Sequence, residues 1–287
     1  MAHTGPLLAV DAPSLLYRAF FALPKSITDG DGHPVNALLG TTNLLLQAIE
    51  SFWPRAVVMC FGAEAAVYRK ELYEPYHADR PPVPDELEHQ WRQVEEFFGA
   101  FAWQIEGHEE LEADDLLGSF ATVETEAGGT TVLFTGDRDM FQCVSDDVLV
   151  LFPRGGKDGP ERVGPAEVRK RYGVEPEQVP DFIALRGDPS DGLPGAKGIG
   201  EKTAKEILRE HGTLDAAIES SIRMRPRVGA ALRDGAEELR RFREIATLVH
   251  VPVKRPTDRP TDWAGGAVAA RARGMERLAA RLDKLAA

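Results

Sequence analysis

Four short, unbroken apolar runs constrain the fold most: Leu7-Leu8-Ala9-Val10, Ala56 to Phe61, Thr131 to Thr135 and Val148 to Phe152. Their apolar residues follow one another without alternation, the pattern of strands buried on both faces, as in a parallel sheet covered by helices. Between them, segment 36–51 sets Leu38, Leu39, Leu44, Leu45, Leu46 and Ile49 at helical spacing, and segment 114–127 does so with Leu116, Leu117, Phe120 and Val123. Strand–helix–strand alternation predicts an α/β fold built on a doubly wound, mainly parallel sheet. With 287 residues, 43% of them apolar, the chain can enclose the core of one large or two ordinary domains.

After Phe152 the turn-rich stretch 153–160 breaks the pattern, and no strand is predicted beyond it. Short helical patterns around 165–172, 176–186, 201–211 and 233–249 predict an all-α module. A last helix, roughly 267–286, carries Leu278, Leu282 and Leu285 and packs back on the body. The segment containing Arg80-Pro81-Pro82-Val83-Pro84 is too proline-rich for a sheet interior and reads as an extended excursion leading into a helix. No apolar stretch approaches the roughly 20 residues of a membrane span, which predicts a cytosolic protein with no membrane partner. Cys60 and Cys143 read as small core residues, Trp53, Trp91, Trp103 and Trp263 as packing anchors. The histidines other than His77, His33 and His89 among them, show no ligand constellation.

Charge is divided unevenly. Residues 1–153 carry 8 Lys and Arg against 25 Asp and Glu, a balance of −17, whereas residues 154–287 stand at +5. One half concentrates carboxylates and the other can greet an anion. Asp11 follows the first apolar run, and Asp137 and Asp139 follow the third; in open parallel sheets the functional crevice lies outside the carboxyl ends of the strands. Glu112, Asp114 and Asp115 begin a helix; one acid would satisfy capping and dipole effects, and three exceed them. Asp188 and Asp191 sit three apart in a Gly/Pro-rich loop and are ordinary turn residues when taken alone. Gathered together, these acids would repel prohibitively without cations, and an all-oxygen donor set suits Mg²⁺ or Mn²⁺ rather than zinc. Two such ions would activate water and stabilise a leaving oxygen in phosphodiester hydrolysis.

The complementary piece is Gly195-Ala196-Lys197-Gly198-Ile199-Gly200-Glu201-Lys202-Thr203-Ala204-Lys205. It departs from the P-loop register, because Glu201 stands after Gly200 and the lysine comes one place late. A glycine turn entering a helix still offers backbone N–H groups to a phosphate. A tight helix–helix connection with solvated lysines accounts for this stretch equally well.

Taken together, Val10-Asp11 with Ser14 to Phe20, Tyr68-Arg69, Glu71-Leu72-Tyr73, Glu112 to Asp115, Thr135 to Asp139, Tyr172-Gly173-Val174, Gly187 to Asp191 and Gly198 to Ala204 resemble the bacterial 5′→3′ exonuclease/flap endonuclease family. That group includes the N-terminal nuclease domain of DNA polymerase I, and the similarity runs from about Leu7 to about Val253. The resemblance implies a PIN-like catalytic domain over 1–163 with an arch at about 76–98. It further implies a helix-three-turn-helix DNA-binding domain over 164–260 and a C-terminal helix over 261–287. It implies two-metal cleavage of 5′ flaps and of nicked or RNA-primed DNA strands in replication or repair, by a nucleoid-associated enzyme. The length of 287 residues leaves no room for a fused polymerase and predicts a stand-alone nuclease, and with no long heptad or large apolar helix face left spare a monomer is expected. Asp11, Glu112, Asp114 and Asp115 are implied around one ion, and Asp137, Asp139, Asp188 and Asp191 around the other. Arg18, Arg69, Tyr76 and Arg80 match positions that steer or stack on the 5′ single strand. Lys197, Gly198, Gly200, Lys202 and Thr203 match the turn that grips the duplex, where a K⁺ ion is allowed.

Two positions depart from that pattern. Gly62 stands where the family has Asp after the second strand, with Glu64 as a hypothetical substitute, and His77 stands where the family has Lys. These departures keep open a junction-binding protein with weakened cleavage; an RNA-cutting PIN-like nuclease shares the acids but leaves the glycine turn unexplained.

Overall fold

The computed structural model describes residues 5–154 and 159–287, so the centre of the 153–160 break lies outside the described residues. Strands β1 (Leu7–Asp11), β2 (Ala56–Phe61), β3 (Gln104–Gly107), β4 (Thr131–Phe134), β5 (Val148–Phe152) and β6 (Glu161–Val163) form one sheet in the order β3-β2-β1-β4-β5-β6. All neighbours run parallel except β6, which pairs antiparallel with β5. The four apolar runs are the four central strands. Alternate residues enter opposite cores: Leu7, Ala9, Val58, Cys60 and Leu133 on one face, Leu8, Val10, Val57, Met59 and Val132 on the other. Both faces are covered, which is why the runs do not alternate in polarity.

Strands β3 and β6 lie at the two edges and carry polar residues, so they lack an apolar run; β6 corrects the expectation that no strand follows Phe152. One face is covered by α1 (Ala12–Ala22), α2 (Asn36–Phe52), α4 (Asp85–Trp91) and α5 (Val94–Gly99). Short helix α3 (Val67–Leu72) follows β2. On the other face α6 (Ala113–Glu126) lies against the sheet. Beyond α6, α7 (Pro165–Tyr172), α8 (Val179–Arg186), α9 (Glu201–His211), α10 (Leu214–Ser220), α11 (Pro226–Asp234) and α12 (Ala236–Ala246) extend the same core.

The expected arch is mostly a packed element. Leu87, Phe97 and Phe98 are fully buried, and its longest exposed run is the loop 78–82. Helix α2 has no side-chain cap of its own; the buried Gln90 of α4 supplies one, its Oε1 accepting from the N–H groups of Ala37 (2.7 Å) and Leu38 (3.3 Å).

The expected single C-terminal helix is two, α13 (Trp263–Ala272) and α14 (Glu276–Ala286), because Gly274 turns the chain at φ 69°. This hairpin buries Ala267, Ala270, Leu278 and Leu282 against the α1–α2 face, so the expected return to the body is observed. The connecting segment is fixed by Glu124, which is 1% exposed and accepts from both Arg55 and Arg255. Trp103 stacks on Phe101, whereas Trp53 caps α2 in the left-handed conformation and is 71% exposed, correcting its reading as an anchor. No described helix is long and apolar enough to cross a membrane.

Candidate active site

From β1 the chain builds β2 and β3 on one side and then returns to place β4 on the other. The topological switch, and with it a crevice at the strand ends, therefore falls between β1 and β4. Asp11 is the last residue of β1. Its Oδ1 accepts from Ser14 N (3.0 Å), capping α1, and its Oδ2 accepts from Thr135 Oγ1 (2.7 Å). The same Thr135 oxygen accepts from Asp137 N (2.9 Å), and Ser14 Oγ accepts from Gly136 N (3.2 Å). Two hydroxyls thus stitch the ends of the central strands together. Asp137 Oδ1 accepts from Asp139 N (2.9 Å), which aims both carboxylates from one turn.

Glu112 and Asp114 come from the start of α6, which packs beside β1 and β2. Asp188 and Asp191 come from the loop after α8, closed by mutual Asp188–Leu193 backbone hydrogen bonds of 2.8 Å and turned by Gly187 and Gly192 at positive φ. Burial pushes the Asp114 carboxyl well above the usual carboxylate range, with further contributions from Asp11, Asp137 and Glu112. Burial, then Asp191, Asp11 and Asp188, push Asp137 up to about 6. Burial, then Asp137, Asp191 and Asp188, push Asp139 well up, and burial raises Asp11. Asp11, Glu112, Asp114, Asp137, Asp139, Asp188 and Asp191 therefore share one electrostatic environment.

Little in the protein compensates them. Arg186 pairs with Asp188 at 3.0 Å and Arg80 reaches Asp191 at 3.5 Å, but among the described residues no cation pairs with Asp11, Asp114, Asp137 or Asp139. Among the described residues no three of these carboxylates bring oxygens within 4.8 Å of one another, so as the side chains stand they do not converge on one ion. A half-buried set of oxygen donors, four of them without a paired cation among the described residues, fits hard divalent cations.

Asp115 stands outside this set. Its carboxylate is fully buried and accepts from Arg69 Nη1 and Nη2 (3.0 and 2.8 Å), Glu112 N (3.2 Å) and Val249 N (2.9 Å), leaving it no capacity for an ion. Arg69, expected on the strand path, is 3% exposed. It also pairs with Glu112 (3.1 Å) and donates to Ile245 O (2.9 Å), so it ties α3, α6 and α12 together. Burial disfavours its charge, but Glu112 and Asp115 outweigh that effect. Tyr76, expected to stack on a base, is 3% exposed, donates to Glu112 at 3.2 Å and is covered by the His77 ring at 3.9 Å. Arg80 is half exposed beside Asp191, and Arg18 is exposed beside Gly136, so both lie at the rim of the crevice.

At Gly62 a Cβ would meet the backbone of Glu112 and Ala113 at 2.4 Å, so as the turn stands no side chain fits there. The Glu64 side chain is exposed, and its carbonyl serves His77 Nδ1 (3.1 Å) and Arg80 Nη1 (3.3 Å), so it does not replace a carboxylate. His77 is held at φ 57° by its bonds to Asp191 and Glu64, with Nε2 2.9 Å from Asp191 Oδ1. In the glycine turn, Cβ atoms at Gly198 and Gly200 would meet nothing within 4 Å. Helix α9 begins there without a side-chain cap, and Lys197 and Lys202 are exposed.

Sequence reading missed the stitching role of Thr135 and Ser14, and a cavity of about 530 Å³ lined by Arg138, Arg154, Arg171 and Arg186 between the crevice and α9. The signals were local: Arg138 separates two of the acids and Arg186 precedes Gly187-Asp188.

A switch-point crevice of carboxylates, four of them without a paired cation among the described residues, joined to a helical module with an open glycine turn, defines an acid-cluster α/β nuclease fold. The family model described as 5′-3′ exonuclease, N-terminal resolvase-like domain, matches residues 6–173, and the one described as 5′-3′ exonuclease, C-terminal SAM fold, matches residues 174–261. The chain belongs to the 5′-3′ exonuclease family. It is 39% identical over 254 residues to DNA polymerase I of Mycobacterium bovis, covering 88% of this chain and 28% of that one. To a thermostable DNA polymerase I of Thermus thermophilus it is 39% identical over 248 residues, covering 85% and 29%. The chain thus spans under a third of the length of these curated relatives. Among solved structures, T5 5′-exonuclease with bound divalent metal ions (zinc) matches with a TM-score of 0.67 at 16% identity, covering 98% of this chain and 99% of that one. The catalytic core of Rad2 in complex with DNA substrate matches at 0.63 and 14% identity, covering 99% and 93%. At these identities the two likenesses establish the fold.

Proposed function

We propose that this chain hydrolyses phosphodiester bonds of DNA at 5′ ends and 5′ flaps, including RNA-primed strands, with two Mg²⁺ or Mn²⁺ ions held by the crevice carboxylates. The observation that carries this reading is the group Asp11, Asp114, Asp137 and Asp139: each is raised by burial, Asp114, Asp137 and Asp139 also by neighbouring carboxylates, and no cation among the described residues pairs with any of them. Asp188, Asp191 and Glu112 would complete the ligand set, in part through water. Bound there, the ions would supply an activated water and stabilise the leaving oxygen.

The chain's own residues do the positioning. Thr135 and Ser14 fix Asp11 against the Asp137 turn. Arg18 and Arg80 offer guanidinium groups to phosphates at the rim, and the Gly198–Thr203 backbone with Lys197 and Lys202 would hold the duplex without reading sequence. We assign residues 1–163 to cleavage and 164–260 to duplex binding, in a monomer acting on chromosomal DNA in the cytoplasm. A K⁺ ion at the glycine turn would show as weaker duplex binding when Na⁺ replaces K⁺.

Mg²⁺-dependent cleavage of a labelled 5′-flap duplex, compared with Asp137→Ala, tests this reading. Cleavage by the parent chain and its loss in the variant support it. Tight binding without cleavage would favour a junction-binding protein, which the occupied Asp191 and the closed Gly62 turn would explain. Activity confined to single-stranded RNA would overturn the DNA assignment.

A further inference from the structure

One cluster of metal-ligating side chains lies outside the crevice and corrects the expectation that the remaining histidines form no constellation. Asp29 and His33 belong to the loop between α1 and α2, and His89 to the last turn of α4. One ligand atom from each lies within 4.8 Å of the other two. His33 Nδ1 is 3.8 Å from Asp29 Oδ2, and the two imidazoles face each other with centroids 4.4 Å apart. Asp29 divides its carboxylate between two tasks: Oδ1 accepts from the N–H groups of Asp31 (3.0 Å) and His33 (2.8 Å), whereas Oδ2 accepts no hydrogen bond among the described residues.

Both halves of the cluster are held in place. The loop is closed by Asp29 N to His33 O (2.9 Å), Val35 N to Ile27 O (2.9 Å) and a bridge between Thr28 and Pro34. Helix α4 is fixed by buried Leu87, by the Gln90 cap on α2 and by Lys25–Glu86 at 3.1 Å. Two imidazoles and a carboxylate, with solvent at the remaining position, form a donor set for zinc-class ions; Mg²⁺ prefers oxygen ligands throughout. The roughly 2 Å bonds of such an ion would draw the three side chains inward from these spacings, and the half-exposed His33 side chain has solvent to turn through.

We propose that Asp29, His33 and His89 form a binding site for a zinc-class divalent cation, separate from the carboxylate crevice, that clamps α4 to the α1–α2 loop. The clamp would fix the downstream end of the exposed loop carrying Arg80. The proposal does not depend on the nuclease reading.

Zn²⁺ is the probe, added to the full chain in saturating Mg²⁺ so that the crevice carboxylates are occupied. Calorimetry should show a Zn²⁺ binding event that Asp29→Asn and His89→Ala each weaken at least tenfold. Asp29→Asn retains an oxygen for the two loop N–H groups, so the loop stays closed in that variant. Nitrogen NMR of the imidazoles should show His33 and His89 shifting together on Zn²⁺ addition, and Zn²⁺ should raise the melting temperature of the parent chain only. Zn²⁺ affinity unchanged in both variants, or imidazole shifts confined to other histidines, would overturn the proposal.

Discussion

Thr135 donates through Oγ1 to Asp11 Oδ2 across 2.7 Å, joining the ends of the two central strands at the point where strand order reverses. Thr135→Val keeps the shape and leaves one carboxylate oxygen and the Asp137 N–H without partners. The expected cost is about 1–3 kcal/mol of stability, with kcat reduced more than KM. Thr135→Ser should restore both. Denaturant melts and flap-cleavage kinetics check this, and an unchanged kcat in the valine variant would remove the positioning role.

Burial and neighbouring carboxylates raise Asp137 from an ordinary 3.8 to about 6. The folded chain then holds that proton more tightly than the unfolded chain. In metal-free protein the ionised form costs stability above pH 6, and the cost fades as pH falls towards 4. Metal-free protein should therefore melt higher at pH 5 than at pH 7.5. Asp137→Asn should be more stable than the parent at pH 7.5, by about 1–3 kcal/mol, while losing cleavage. Equal stability of the two at pH 7.5 would contradict the assigned repulsion.

Arg69 is a structural cation. Arg69→Ala leaves the buried Asp115 and Glu112 unpaired and should cost about 3–5 kcal/mol. Arg18→Ala and Arg80→Ala should melt like the parent but bind flap DNA several-fold more weakly. A normally folding Arg69→Ala with only a binding defect would restore the strand-steering role.

Gly62→Asp should destabilise by about 1–3 kcal/mol, because the new Cβ meets backbone at 2.4 Å and not a flexible side-chain tip. Urea melts of Gly62→Ala and Gly62→Asp test the contact itself: a stabilised alanine variant would show that the turn yields easily.

The central strands were legible because burial on both faces leaves a continuous apolar run, and Asp11, Asp137 and Asp139 because the chain places them directly after such runs. Edge strands β3 and β6 were not, since half-exposed strands carry polar residues. The fate of Asp115, Arg69 and Tyr76 was hidden for a different reason. Their spacing is the same whether they face an ion, a nucleic acid or one another, and only the packing of α3 on α6 and α12 decides among these. His33 and His89 lie 56 positions apart, and only the docking of α4 beside the loop brings them together.

Anomalous diffraction from Mn²⁺-soaked crystals tests the central claim most directly. Two ions among Asp11, Asp114, Asp137 and Asp139, with Asp115 still bound to Arg69, is the predicted result. A crevice that stays free of Mn²⁺ at millimolar concentration, with these four carboxylates neutralised by protons or by protein cations, would contradict it.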